Sequence, residues 1–86
     1  MKLRTCKTLR DRMKGLMGVK KMKYGDGIKI LNCRCIHTCF MHFPINVVFL
    51  DKKDRPVKIM LNVKPWRLFI WGGWKARKVI ETCALR

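Results

Sequence analysis

Apolar positions along this chain follow two periods, and the change between them divides it. Between Thr8 and Gly18 the apolar residues Leu9, Met13, Leu16 and Met17 recur at i, i+4, i+7 and i+8, with Arg10, Arg12 and Lys14 between them. That spacing puts one apolar stripe along a helix and predicts a short helix over 9–17. Thr8 is placed to cap its first turn, Asp11 favours the positive helix end, and Gly18 can adopt the left-handed conformation that stops the last turn. Residues 2–6, ahead of it, read as an opening strand.

From residue 24 onward the period falls to two. Tyr24-Gly25-Asp26-Gly27 is turn chemistry, and a strand near 28–35 follows, in which Ile28 and Ile30 alternate with Lys29. The alternation slips near Leu31, which a bulge would explain. Residues 45–50 are apolar on both faces of any strand they form and are expected at the centre of a sheet. Asp51-Lys52-Lys53-Asp54-Arg55 is a polar turn, and beyond it Val57, Ile59, Leu61 and Val63 alternate with Lys58, Asn62 and Lys64. Strands 45–50 and 57–63 should therefore pair as an antiparallel hairpin, with Val57, Ile59, Leu61 and Val63 alternating along the second strand and Met60 as the one exception. Pro65 ends that strand, residues 67–71 form another, Gly72-Gly73 turns the chain, and 77–83 supply a last strand carrying Val79, Ile80 and Cys83. The fold class is α+β, mainly β, an antiparallel or mixed sheet with one short N-terminal helix.

Length and charge narrow this further. At 86 residues there is room for one core and one domain. A hydrophobic share of 49% argues for folding, whereas 21 Lys and Arg against five Asp and Glu leave a net charge of +16. Residues 1–23 hold nine of the cations and 51–86 hold ten, while 28–50 hold only Lys29 and Arg34. The interior is thus expected between Ile28 and Leu50, with the charged flanks outside. Excess cations need water or an anion against them, so a polyanion is the natural partner, nucleic acid before a membrane surface. No apolar run reaches the roughly 18 residues of a membrane span. The chain reads as cytoplasmic, with its five cysteines reduced.

Four segments, in order and nearly correct in spacing, resemble the domain-of-unknown-function family 192. They are Arg12-Met13-Lys14-Gly15-Leu16-Met17, His37-Thr38, Met41 through Phe49, and Lys64-Pro65-Trp66-Arg67. The first is similar to the family's Arg-x-x-Gly-Leu-Met signature. The third is similar to its Met-x-x-x-Ile-Asp core strand, with Asn46 standing where that motif carries Asp. The resemblance implies a compact, strand-dominated, barrel-like fold with one or two short helices, and it implies no particular activity.

Three groups of residues could carry chemistry. If 33–39 were one extended strand, Cys33, Cys35, His37 and Cys39 would share a face and offer a zinc ion three thiolates and an imidazole, although ligands fanned along a line close poorly around a metal. Core packing of the cysteines competes with that reading. A small pocket lined by His37, Thr38, Met41 and Asn46 would serve a ligand binder or a modest enzyme, but a Cys–His nucleophile needs an orienting group, for which Asn46 is the one nearby candidate. Finally, Arg67, Trp71, Trp74, Lys75, Arg77 and Lys78 interleave cations with rings, as single-strand binders do. Of the tryptophans, Trp66 is expected inside, leaving Trp71 and Trp74 exposed around the Gly-Gly turn.

Overall fold

Residues 3–6 and 21–85 are described by the computed structural model; the helix expected over 9–17 lies outside them. The strands are β1 (Leu3–Cys6), β2 (Gly27–Leu31), β3 (Cys35–Ile36), β4 (Ile45–Leu50), β5 (Pro56–Val63), β6 (Ile70–Trp71) and β7 (Lys78–Cys83). Five of them form one sheet in the order β1-β2-β7-β4-β5, and β3 pairs with β6 in a separate ribbon. β1 runs parallel to β2, and the other pairings are antiparallel. The main sheet ends in two edges, β1 and β5, so the described strands form an open sheet and do not themselves close a barrel.

Register explains the interior. Ile45 lies opposite Cys83, Val47 opposite Glu81 and Phe49 opposite Val79, while Ile28 and Ile30 lie opposite Glu81 and Val79 from the other side. Cross-strand partners point to the same side of a sheet, so these side chains make one inner face. Ile45, Val47, Phe49, Val79 and Cys83 are all 0% exposed. Met41, Phe43, Ile70 and Ala76 join the same apolar cluster, with Ile36 and Met60 packed against it. Gly72 lies against the Phe49 ring, where a Cβ would collide with the ring carbons.

This arrangement corrects four expectations. β7 is the middle strand, so the C-terminal third supplies the heart of the sheet as well as a charged coat. β2 ends at Leu31 because Asn32 takes φ 55°, a left-handed conformation that Asn tolerates. The chain then leaves for the β3–β6 ribbon, so residues 28–35 are not one bulged strand. Residues 67–69 are not strand either: the Arg67 amide donates to Thr38 Oγ1 at 2.8 Å and is spent outside any ladder.

The fourth correction concerns β5. Met60 lies opposite Val47 and Ile59 opposite Val48, so Met60 faces the core and the alternate residues face out. Val57, Ile59 and Leu61 are 37%, 59% and 72% exposed. A register shift between Ile45 and Val47, with Asn62 at φ 54°, then returns Val63 to the interior opposite Ile45.

Candidate functional site

Two loops at one end of the sheet build a groove. The first, residues 32–34, follows the left-handed turn at Asn32; the second, residues 72–77, leads into β7. Backbone bonds tie them together: Cys33 N donates to Arg77 O at 2.9 Å and Gly72 N to Arg34 O at 2.7 Å. Arg77 N donates to Leu50 O at 2.7 Å, which fixes the second loop to the main sheet. Between them lies a groove of about 620 Å³ lined by Asn32, Cys33, Arg34, Trp71, Trp74 and Arg77, with Ala76 also contributing.

Its polar and aromatic parts are ordered by each other. Arg34 Nε and one Arg77 terminal nitrogen both donate to the Trp74 carbonyl, at 3.2 and 2.9 Å, so two permanently charged guanidinium groups converge on one side of the groove. The Trp71 and Trp74 rings meet edge to face with centroids 5.1 Å apart. Phe69 continues the aromatic row, its ring stacked 6.4 Å from Trp71 and nearly parallel to it at 10°. Trp74 is 79% exposed. The groove lining contains no carboxylate, so nothing within it offsets the arginine charge.

Three of the six residues expected to meet a polyanion, Trp71, Trp74 and Arg77, line this groove, and Lys75 is exposed on the adjoining turn. Lys78 does not join them; its Nζ donates to Asp54 Oδ1 at 2.6 Å, and Lys29 approaches the same oxygen at 3.9 Å. The Lys78 hydrogen bond is the main reason the Asp54 carboxyl titrates below its ordinary value. Arg67 is exposed in a different loop, bound through its amide to Thr38. Arg34 escaped sequence reasoning because what brings it here is the pairing of Cys35 with Trp71, a contact across the chain with no local signal.

The four residues of the expected small pocket occupy three environments. Thr38 is 0% exposed and acts as a clasp: its hydroxyl donates to Lys64 O at 2.9 Å, and its carbonyl accepts from Trp66 N at 2.9 Å and Met41 N at 3.3 Å. Met41 belongs to the core. His37 is exposed, and its Nδ1 accepts from Cys39 N at 3.1 Å. Asn46 sits on the opposite side of β4 from Ile45 and Val47, where its Oδ1 accepts from Asn62 N at 2.9 Å and secures the β5 irregularity.

The pattern of segments meets a direct match: the family model DUF192, Uncharacterized ACR, covers residues 1–84. The chain belongs to this family. Curated proteins give no match. Two crystal structures share the DUF192 chain's fold, each at 17% identity. One, a protein of unknown function from Novosphingobium aromaticivorans, has a TM-score of 0.85, with 95% of this chain and 62% of that one covered. The other, from Sinorhizobium meliloti and named a "putative transcription regulator", has a TM-score of 0.86, with 95% and 67% covered. The DUF192 chain thus spans somewhat under two thirds of the Novosphingobium protein's length and 67% of the Sinorhizobium protein's.

Within this DUF192 fold the expected zinc set does not gather. Cys33, Cys35, His37 and Cys39 are spread over a loop, a two-residue strand and a turn, and among the described residues no three His, Cys, Asp or Glu side chains are placed to hold a metal. Cys33 Sγ instead donates to Cys35 O at 3.0 Å, and Cys39 Sγ to Arg67 O at 3.9 Å. Trp66, expected inside, is 60% exposed. Its amide is held by Thr38 O, its φ is 71° and its ring rests 4.8 Å from Phe40. Glu81 was missed altogether. It occupies an inner-face position of β7, 3% exposed, and burial alone pushes its carboxyl up to about 7. Its position between Val79 and Cys83 at spacing two was the available signal.

Proposed function

We propose that this DUF192 chain is a non-catalytic binding module that grips a polyanion, single-stranded nucleic acid before a membrane surface, through the Arg34–Arg77–Trp71–Trp74 groove. The observation that carries the reading is the meeting of two guanidinium groups with an exposed Trp in one groove free of carboxylates. Guanidinium groups serve phosphates, and an exposed indole face stacks on any base without reading its sequence. The surplus of cations, 21 against five acids, favours the same class of ligand and steers it from a distance. Among the described residues no helix is long and apolar enough to cross a membrane, and a cytoplasmic setting is part of the proposal. The rival, a ligand pocket or weak enzyme at His37, Thr38, Met41 and Asn46, draws no support from side chains that occupy three separate environments.

Titrating a labelled single-stranded RNA, and its DNA counterpart, at rising salt tests the reading. Affinity should fall steeply with salt, Trp74→Ala should cost about 1–3 kcal/mol of binding, and Arg34→Ala should reduce the salt slope by about one. No binding at low salt removes the proposal. Binding that ignores Trp74→Ala reduces it to unselective attraction, and stronger binding to anionic vesicles than to either strand moves the ligand to the membrane.

A further inference from the structure

The edge opposite the N-terminal strand carries a second surface. Among the described residues β5 pairs only with β4, so the outer rim of this eight-residue strand has no described partner in the sheet. Among the described residues no other backbone group bonds to residues 56–63 along that rim. A long unpaired rim is a template for another strand, and proteins that do not use it usually blunt it with charges along the strand, a bulge or a covering segment. Here Pro56 and two register shifts lie towards the ends and Lys58 is the one charge within the strand, while the stretch between keeps Val57, Ile59 and Leu61 open to solvent.

Register shows what such a strand would meet. On the outer face Lys29 lies opposite Ile80, Ile80 opposite Val48, and Val48 opposite Ile59. An apolar row therefore crosses three strands and stops, still exposed, at the rim. On the other face β5 presents Lys58, opposite Phe49. Exposed Lys52 and Lys53 stand before the strand, and exposed Lys64 follows it. The rim is apolar on one side and flanked by cations, and like charge at +16 opposes a second copy of the chain.

We infer that β5 accepts an extended segment of a partner protein in which apolar and acidic residues alternate, added as a sixth strand. Its apolar side chains continue the Ile80–Val48–Ile59 row, its carboxylates face the exposed flanking Lys52, Lys53 and Lys64, and its backbone satisfies the open rim. The inference does not rest on the arginine–tryptophan groove, although Lys58 Nζ reaches the carbonyl of groove-lining Trp71 at 2.7 Å.

A synthetic peptide of about ten residues alternating Val and Glu is the probe, with an alternating Val and Lys peptide as control. Amide hydrogen exchange followed by NMR should show added protection in residues 57–61 with the first peptide and none with the second. The Ile59→Lys, Leu61→Lys double variant should weaken binding about tenfold, from two lost cross-strand pairs, while its spectrum shows an intact core. Unprotected β5 amides at millimolar peptide overturn the inference. So does binding that is abolished by Trp74→Ala, which would put the acidic peptide in the groove. Sedimentation that reveals a dimer dissolved by the double variant would assign the rim to a second copy and also overturn it.

Discussion

β4 and β5 are hydrogen-bonded neighbours of similar apolar character, yet one is sealed and the other open. β4 has a strand on each side and the apolar cluster beneath it, so Ile45, Val47 and Phe49 lose all contact with water. Among the described residues β5 has a strand on one side only, and of its apolar side chains Met60 and Val63 reach the core while Val57, Ile59 and Leu61 do not. Alternation identifies two faces, but neighbours decide which is inside, because a shift of one residue exchanges the faces without changing composition. On β5 the longer and more regular apolar series is the outer one. The contrast also separates two uses of hydrophobicity: β4 spends it on holding the fold, and β5 holds it in reserve for a partner.

The sharpest test of the contrast is Phe49→Ala. Phe49 is fully buried and packs on Gly72, so truncation should cost about 3–5 kcal/mol, read from urea unfolding. A cost below about 1 kcal/mol would mean that β4 is not the sealed strand described here.

Next in size is the pH response of Glu81, whose neighbours across the sheet are Ile28 and Val47. Its carboxyl rises from an ordinary 4.5 to about 7 through burial, so the folded chain binds its proton more tightly than the unfolded chain. The stability that this proton provides is complete below about pH 4.5 and is lost as pH climbs to about 7, in total about 3 kcal/mol. Asp51 and Asp54 act in the opposite sense at lower pH. Both carboxyls are held below 3.8, Asp51 chiefly by the Arg55 amide and Asp54 chiefly by Lys78, so their contribution is lost on acidification. Unfolding measured between pH 4.5 and 7 should show stability falling in the wild type, with that component absent in Glu81→Gln. An identical slope in both would show that Glu81 is not buried as a carboxylic acid.

Gly72→Ala should follow at about 1–3 kcal/mol, since the added methyl must displace the Phe49 ring. This variant also joins the core to the groove, because Gly72 N holds the Arg34 carbonyl. Loss of groove affinity without loss of stability would show that the ring gives way and the loop does not.

What could be read from the sequence follows the reach of each signal. β4 was legible because a run apolar on both faces has only one comfortable place, and the turn at 51–55 because Asp51 bonds its own neighbours, accepting from Lys53 N and Arg55 N at 2.9 and 3.0 Å. The half of the candidate groove made by Trp71, Trp74 and Arg77 was legible as cations among rings. Arg34, the central placement of β7 and the outward face of β5 were not, because each depends on a partner distant in sequence. The cysteine run does not share a face because 33–39 is not one extended strand: only Cys35 and Ile36 pair, and Cys39 lies in a turn.

The smallest effect is the most discriminating. Ile59→Lys should change stability by no more than about 0.5 kcal/mol, since the side chain is already 59% exposed and a lysine stem can lie along Val48 with its ammonium in water. An inward Ile59 would require the reverse: a buried, unpaired ammonium would cost several kcal/mol. Near-neutral stability combined with weaker capture of the Val and Glu peptide would separate Ile59 from the core and assign its hydrophobicity to binding. Near-neutral stability with unchanged capture would leave the residue merely exposed, and the division of labour between the two strands would end at β4.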